Sequence, residues 1–302
     1  MPAITPTLIQ SLNTGFKRVF QDAYNQFGAE SQFLKIATKI QSSSRSNTYG
    51  WLGQFPALRE WIGDRVLKNI SSTSYQIINK TYESSISVNR DDIEDDNIGI
   101  YASLFQEMAR SAAVFPDEKV FELLKIGNNT ICYDGQNFFD TDHKIYQNND
   151  GTGSETIVSN FFDGTHPSWF LLDCRRAIKP LIYQERKSPE LTMLDSKDDE
   201  HVFMKNSYRY GVDLRASAGF GFWQMALQSK EDLTADNLEK AYSHMRNLST
   251  DGGKKLGIKP SILLVPPSMR STALRLVKAE QIEGTTNINA GLLEVIDSEY
   301  LS

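Results

Sequence analysis

Residues 46–96 read Ser46-Asn47-Thr48-Tyr49-Gly50-Trp51-Leu52-Gly53-Gln54-Phe55-Pro56, then Leu58-Arg59-Glu60-Trp61-Ile62-Gly63, then an alternating segment from Tyr75 to Val88. They close on Asn89-Arg90-Asp91-Asp92-Ile93-Glu94-Asp95-Asp96. Alternation of apolar and polar residues predicts an extended, two-stranded ribbon. A ribbon has too few strands to bury its own large rings, so Trp51, Phe55 and Trp61 need a surface supplied from elsewhere. Another copy of the same chain is the expected source.

The acidic cluster Asp91 to Asp96 stands just before a helical pattern that begins near Ile98. Negative charge favours a helix N-terminus, so the cluster reads first as a start signal and second as a cation site. It lacks the glycine and ligand spacing of a calcium loop. Tyr101, Leu104, Phe105, Met108, Ala112 and Phe115 then recur at helical spacing, and Val120, Leu123 and Leu124 resume the pattern up to Gly127. As one element this is ~27 residues and ~40 Å, with Pro116 kinking or restarting it. The alternative is two helices meeting at Phe115-Pro116, with Asp117 and Glu118 in the first turn of the second.

These segments closely resemble the major head subunit family of Mu-like tailed phages and prophages. The matching blocks continue with Ile98 to Tyr101, Phe105 to Met108, Arg110 to Val114, Tyr133 to Asp140, Gly219 to Ala226 and Asp251 to Gly257. The resemblance implies an α+β tailed-phage major capsid fold and a shell protein, not an enzyme. In that fold residues 1–45 are the N-terminal arm and 46–92 the extended β-hairpin loop. Residues 93–131 and 190–231 are the peripheral domain with its long spine helix, and 132–189 with 232–302 the axial domain and connecting loops. The segment order is permuted relative to many capsid proteins outside the Mu-like branch: strands around Val202 to Leu227 precede the helix at Thr234 and the strand at Ile262. Position alone therefore does not transfer domain boundaries.

The arm carries a short amphipathic stretch, Leu8 to Phe20, with Leu12, Phe16, Val19 and Phe20 near one side. It has little core of its own and is expected to lie across neighbouring subunits. Expected intersubunit contacts are Phe16 and Phe20 on the arm and Trp51, Phe55, Trp61 and Tyr82 on the extended loop. Further strands are expected at Trp169 to Leu172, Pro180 to Tyr183, Val202 to Met204, Tyr208 to Leu214, Phe220 to Leu227, Ser261 to Val265 and Leu292 to Ile296. Helices are expected from a Thr234 N-cap to about Asn247 and from Ser268 to Ala279.

Length and composition agree with a shell subunit. The 302 residues exceed the usual single-core size, so two or three lobes are expected. The content is 40% hydrophobic and 23% charged, and no apolar run approaches the ~20 residues of a membrane span. Met1 to Gln10 has neither the basic start nor the apolar block of a signal peptide. A net charge of −6 argues against a protein whose main work is gripping nucleic acid. An acidic wall would not hold packed DNA electrostatically, although such a charge is also ordinary among soluble proteins. The two cysteines, Cys132 and Cys174, read as structural thiols in a reducing cytoplasm.

The most enzyme-like constellation is Asp134-Gly135 followed by Phe138-Phe139-Asp140-Thr141-Asp142-His143. A hydrolase using Asp140, Asp142 and His143 is one alternative, and a tail or connector protein another. Metal work would need a further ligand, and His166, His201 and His244 share no ligand spacing with His143. The structural reading makes Asp134-Gly135 a turn, with Phe138 and Phe139 anchoring the loop and Asp140 or Asp142 accepting backbone or imidazole hydrogen bonds. The glycine-rich Asp251 to Gly257 fails as a phosphate loop, since Ile258 and Lys259 follow where Lys and Ser or Thr belong. No cofactor is expected. The resemblance implies as partners the chain itself in hexamers and pentamers, a separate scaffolding protein, a head protease, a portal and packaged double-stranded DNA held without sequence preference. No membrane is implied, and the expected location is the virion, after assembly in the host cytoplasm.

Overall fold

The computed structural model describes residues 5–52, 75–94, 99–148, 151–196, 199–282 and 284–302. Phe55 and Trp61 lie outside them, as do Asp95 and Asp96. The spine appears as one helix of 27 residues, Gly99–Lys125, with Pro116 inside it. Its first-turn neighbour is separate: Asp91 and Asp92 open a short helix, Arg90–Glu94, and the Asp92 carboxylate accepts a hydrogen bond from the Tyr101 hydroxyl.

The arm is longer and more inward than its sequence suggests. A single helix, Pro6–Glu30, starts with Thr5 accepting from the Leu8 N–H at 3.2 Å. Its buried residues Ile9, Phe16, Phe20 and Ala23 are spaced at 7, 4 and 3, which puts them on one face. That face lies on the long helix, so the chain itself supplies the cover expected from a neighbour. The following segment is tied down by Asp117, whose Oδ1 accepts from the Ser31 hydroxyl at 3.0 Å and from the Gln32 and Phe33 N–H groups at 3.0 and 2.6 Å. The carboxylate thereby satisfies donors at the start of the short helix Phe33–Ile36. Burial raises the Asp117 pKa, and these donors work against the rise.

Four strands form the first sheet, in the order Ala37–Gln41, Leu181–Leu194, Ser207–Phe220, Lys80–Asn89. The outer strand of the arm runs parallel to Leu181–Leu194, and the other pairings are antiparallel. Along Ser207–Phe220 the residues Tyr208, Tyr210, Val212, Leu214 and Ala216 are buried, a period of two that aims one face at the two long helices. The stretch from Tyr75 to Val88 is therefore not one ribbon. Gln76–Ile78 pairs with Ser46–Thr48, whereas Lys80–Asn89 leaves that pair and becomes the edge of the four-stranded sheet. The reading of Val202 to Met204 as a strand is also corrected, because a short apolar run does not distinguish the two periods. It is the helix Glu200–Lys205, ended by Asn206 in the left-handed region at φ 51°, with only Val202 buried.

The second sheet has five strands in the order Glu294–Asp297, Ile262–Val265, Trp169–Leu172, Ala226–Ser229, Phe161–Phe162. Its central strands are buried along their whole length, which is why they read as unbroken apolar runs. Helix Ala235–Asn247 packs against it through Leu238, Ala241 and Met245, and its Thr234 cap accepts from the Asn237 N–H at 3.2 Å. Helix Arg270–Lys278 adds Ala273, Leu276 and Val277 after a tight turn at Pro267–Met269. A similar turn, Trp223–Met225, breaks the strand expected from Phe220 to Leu227.

Sheet membership divides the chain at points other than 189/190 and 231/232. Strand Leu181–Leu194 runs across the first of these, and Ala226–Ser229 pairs with Trp169–Leu172 in the second sheet. Residues 37–41 of the arm and 80–89 of the loop belong to the first sheet. The chain visits the first sheet, the second, the first again and the second again, an interleaved order.

Candidate assembly surfaces

The segments on either side of residues 53–74 are joined at their base by three residue pairs of Ser46–Thr48 with Gln76–Ile78. The Tyr49 N–H donates to the Tyr75 carbonyl at 2.9 Å, closing the two legs. Beneath them sits Gln184, fully buried on the strand Leu181–Leu194. Its Oε1 accepts from the Tyr49 hydroxyl at 2.7 Å, and its Nε2 donates to the Ile77 carbonyl at 3.0 Å and to Asn79 Oδ1 at 2.8 Å. Asn79 in turn donates to Ser42 Oγ at 3.0 Å and the Ser44 carbonyl at 2.9 Å, and Ser42 Oγ lies 2.8 Å from Asn47 Oδ1. A buried polar group without partners would be costly, and here each amide is satisfied by residues of the loop root. The sequence carried one signal for this network, a glutamine directly after the apolar run Leu181 to Tyr183, but nothing in the pattern named its partners.

Close packing completes the root. A Cβ on Gly219 would meet Ile77 Cδ1 at 2.3 Å, so the glycine lets the returning leg lie directly on Ser207–Phe220. The Tyr75 hydroxyl accepts from the Phe220 N–H at 2.7 Å, and burial pushes its pKa up to about 12. Trp51 is half-buried here, edge-on to Tyr49 and Phe222 with ring centroids 6.0 Å from each. Tyr82 is half-buried against Phe115 of the long helix at 4.5 Å. Phe16 and Phe20 are inside the chain: Phe16 stacks on Phe105 at 4.3 Å and meets Tyr210 edge-on at 5.5 Å.

At the root Ile78 is half-exposed, and further exposed apolar surface lies away from it. Phe203 and Met204, at 84% and 68% exposed, project from the helix Glu200–Lys205 beside the half-exposed Leu194. Ile100 and Leu104 are exposed one turn apart on the long helix. The strand reading of 202–204 concealed the first of these patches.

The enzyme-like loop is built as a core anchor. His143 is fully buried and stacks on Trp223 with centroids 4.0 Å apart and planes at 7°. Its Nδ1 meets Asp134 Oδ2 at 2.7 Å, so the carboxylate beside the imidazole is Asp134, neither Asp140 nor Asp142. Asp134 also accepts from the Cys132 thiol at 3.1 Å and the Gln136 N–H at 3.1 Å. Burial acts to raise the Asp134 pKa, but the His143 hydrogen bond and charge, with the other two donors, hold it below the usual carboxylate range. Asp140 accepts from the Thr141 and Asn137 N–H groups at 2.7 and 3.2 Å, and Asp142 is exposed. A general base needs access to substrate, which a ring covered by Trp223 does not have. Phe138 and Phe139 are buried, and Gly135 makes the turn at φ 87°. Cys132 and Cys174 are free thiols whose pKa values burial pushes up. Among the described residues no three His, Cys, Asp or Glu side chains are grouped to hold a metal, and no helix is long and apolar enough to cross a membrane.

Residues 9–301 match the model of a family described as Mu-like prophage major head subunit gpT. The chain is 48% identical to the major capsid protein of Escherichia phage Mu over 99% of both chains. It is 46% identical to the Mu-like prophage FluMu major head subunit of Haemophilus influenzae, covering 93% of this chain and 92% of that one. Among solved structures, the subunit of a bacteriophage JBD30 procapsid superposes with a TM-score of 0.87 at 52% identity, over 98% of this chain and all of that one.

Proposed function

Because the chain belongs to the Mu-like prophage major head subunit family, we propose that it works as the repeating wall unit of an icosahedral phage head, in hexameric and pentameric capsomers that enclose double-stranded DNA. It is a structural capsid protein of Mu-like type and self-associates. The observation carrying the reading is the whole-length likeness to the procapsid chain, which superposes with a TM-score of 0.87 over 98% of this chain.

Assembly on this reading multiplies weak, identical contacts by symmetry. The loop aromatics Trp51, Phe55 and Trp61 contact a neighbour, Tyr82 joins them from the edge strand Lys80–Asn89, and the exposed Phe203, Met204, Ile100 and Leu104 supply further contacts between copies. Phe16 and Phe20 contribute indirectly, by holding the arm on the long helix. A separate scaffolding protein, a head protease and a portal complete the set of partners, and assembly takes place in the host cytoplasm. The net charge of −6 suits a wall that contains DNA without binding it tightly.

Electron microscopy of the chain expressed with the remaining head genes of its own phage tests this. Closed shells are expected. A strictly monomeric protein at every concentration and salt, even with its scaffold, would remove the shell role.

A further inference from the structure

Positive charge is gathered on one part of an otherwise acidic chain. Residues 173–179 and 246–259 hold seven cations, Arg175, Arg176, Lys179, Arg246, Lys254, Lys255 and Lys259, against two carboxylates, whereas the whole chain carries −6. The fold brings the two segments together at one end of the second sheet, where Trp169–Leu172 stops and Ile262–Val265 begins. Three arginines hold the later segment by its carbonyls. Arg175 Nε donates to that of Lys259 at 3.0 Å, Arg246 Nη1 to that of Ile258 at 3.1 Å, and Arg176 Nη2 to that of Leu256. Lys255 Nζ donates back to the Asn247 carbonyl at 2.6 Å. Burial alternates along this stretch, with Leu256 and Ile258 inside and Lys255, Gly257 and Lys259 exposed, so both lysines stand on the solvent side. The two carboxylates are already engaged. Asp173 is wholly buried, paired with Arg175 at 2.9 Å and accepting from the Lys259 N–H at 2.9 Å, and the Asp251 carboxylate accepts from the Tyr146 N–H at 2.9 Å.

We infer that this surface is a contact for the phosphate backbone of nucleic acid, blind to sequence, and the part of the subunit that meets packaged double-stranded DNA. The second half of that statement rests on the shell reading. The chemistry favours a polyanion over a folded protein. The centre of a protein interface is apolar and poor in charge, yet none of the exposed large apolar side chains lies in either segment. What is exposed is Arg175, Arg246, Lys254, Lys255 and Lys259, with Gly252, Gly253 and Gly257 among them. A guanidinium has five N–H donors, so the single bond to the Ile258 carbonyl orients Arg246 and leaves donors for phosphate oxygens. Charges of this kind read phosphates and carry no information about bases. Because these segments are net positive in a chain of −6, the remaining surface repels phosphate and confines the contact to this patch. Each copy then offers the DNA a weak, salt-screened attachment, in keeping with a wall that does not grip its contents.

The test titrates a labelled DNA duplex of arbitrary sequence with the unassembled full-length subunit at low and moderate salt. Wild type is compared with the triple variant Arg246→Gln, Lys255→Gln, Lys259→Gln and with a charge-matched control, Lys17→Gln, Lys80→Gln, Lys205→Gln, whose lysines are exposed elsewhere. At roughly 0.9 counterions released per phosphate contact, a fourfold rise in salt should cost the wild type about 40-fold more affinity than the triple variant. The control should follow the wild type, and a second duplex of unrelated sequence should bind equally. Absence of binding at low salt, a triple variant equal to wild type, or an equal loss in the control overturns the inference. A polyglutamate peptide bound more tightly than the duplex overturns it too, and assigns the patch to an acidic protein. If the triple variant does not fold, the single Lys259→Gln should still give a difference of about 3.5-fold, and its equality with wild type overturns the inference. Closed empty shells should bind added duplex equally well in wild type and triple variant, since an inward surface is out of reach; shells that bind it through these residues overturn the contact with packaged DNA. A wild-type chain that binds duplex through these residues but never closes a shell overturns the shell reading and leaves the backbone contact standing.

Discussion

Replacing Phe16 by alanine decides whether the arm helix belongs to the subunit or to its neighbour. The ring is 4% exposed, stacked on Phe105 and edge-on to Tyr210, both of which are buried in the absence of any other chain. Truncating a buried phenylalanine costs roughly 3–5 kcal/mol, transfer and cavity together. For a chain of this size about 2 °C of melting temperature accompanies each kcal/mol, so the unassembled subunit should melt roughly 6–10 °C lower. Phe105→Ala should lose as much, and the double variant should fall short of the sum by about 0.5–1.5 kcal/mol, the worth of the aromatic pair beyond its area. Thermal unfolding of the four subunits by circular dichroism reads all of this without assembly. If the arm instead lay on a neighbouring copy, Phe16→Ala would leave the isolated subunit's melting temperature unchanged and reduce only shell yield. That outcome would refute the intrachain docking of the arm.

Asp134→Asn should lower the melting temperature at neutral pH by about 1–3 kcal/mol equivalent, since it weakens a charge-assisted bond to a buried imidazole. The folded pKa of Asp134 is depressed, so its contribution is fully present above the unfolded carboxylate value of ~4 and is lost as pH falls through the lower folded value; the gap between wild type and variant should close in acid. Gly219→Ala should destabilise by about 1–3 kcal/mol through displacement of Ile77, and a crystal structure of the variant should show Ile77 moved. Trp61→Ala should reduce particle yield with the subunit's melting temperature held, whereas Trp51→Ala should lower both, because Trp51 already rests on Tyr49 and Phe222. Elemental analysis of the His143→Ala subunit should match wild type, and a stoichiometric metal lost with that ring would reverse the core assignment of the loop.

Much of the architecture was legible because local period and burial agreed. The long helix, the fully buried strands at Trp169 and Ile262, and the Thr234 cap each follow from apolar spacing or from a single capping hydroxyl. The misses share another cause. Val202 to Met204 is a three-residue apolar run with no period to read, and its conformation is set by Asn206 in the left-handed region. The split of Tyr75 to Val88 is set by Asn79, whose side chain is taken up by Gln184 and Ser42, partners 105 and 37 residues away in the chain. Periodicity has no access to such distances.

The arm shows why a surface read as unpartnered in sequence need not face another molecule. Its apolar stripe and that of the long helix are separated by some eighty residues, so each looks uncovered until the chain is folded. The loop differs in kind. Its root is fixed by a polar network whose members are already satisfied, so the order of that root does not depend on a neighbour arriving. A subunit built this way keeps the cost of ordering its own elements out of assembly, and the free energy of each contact between copies goes into association. Individually weak contacts then remain reversible during growth and become stable only when symmetry closes the shell.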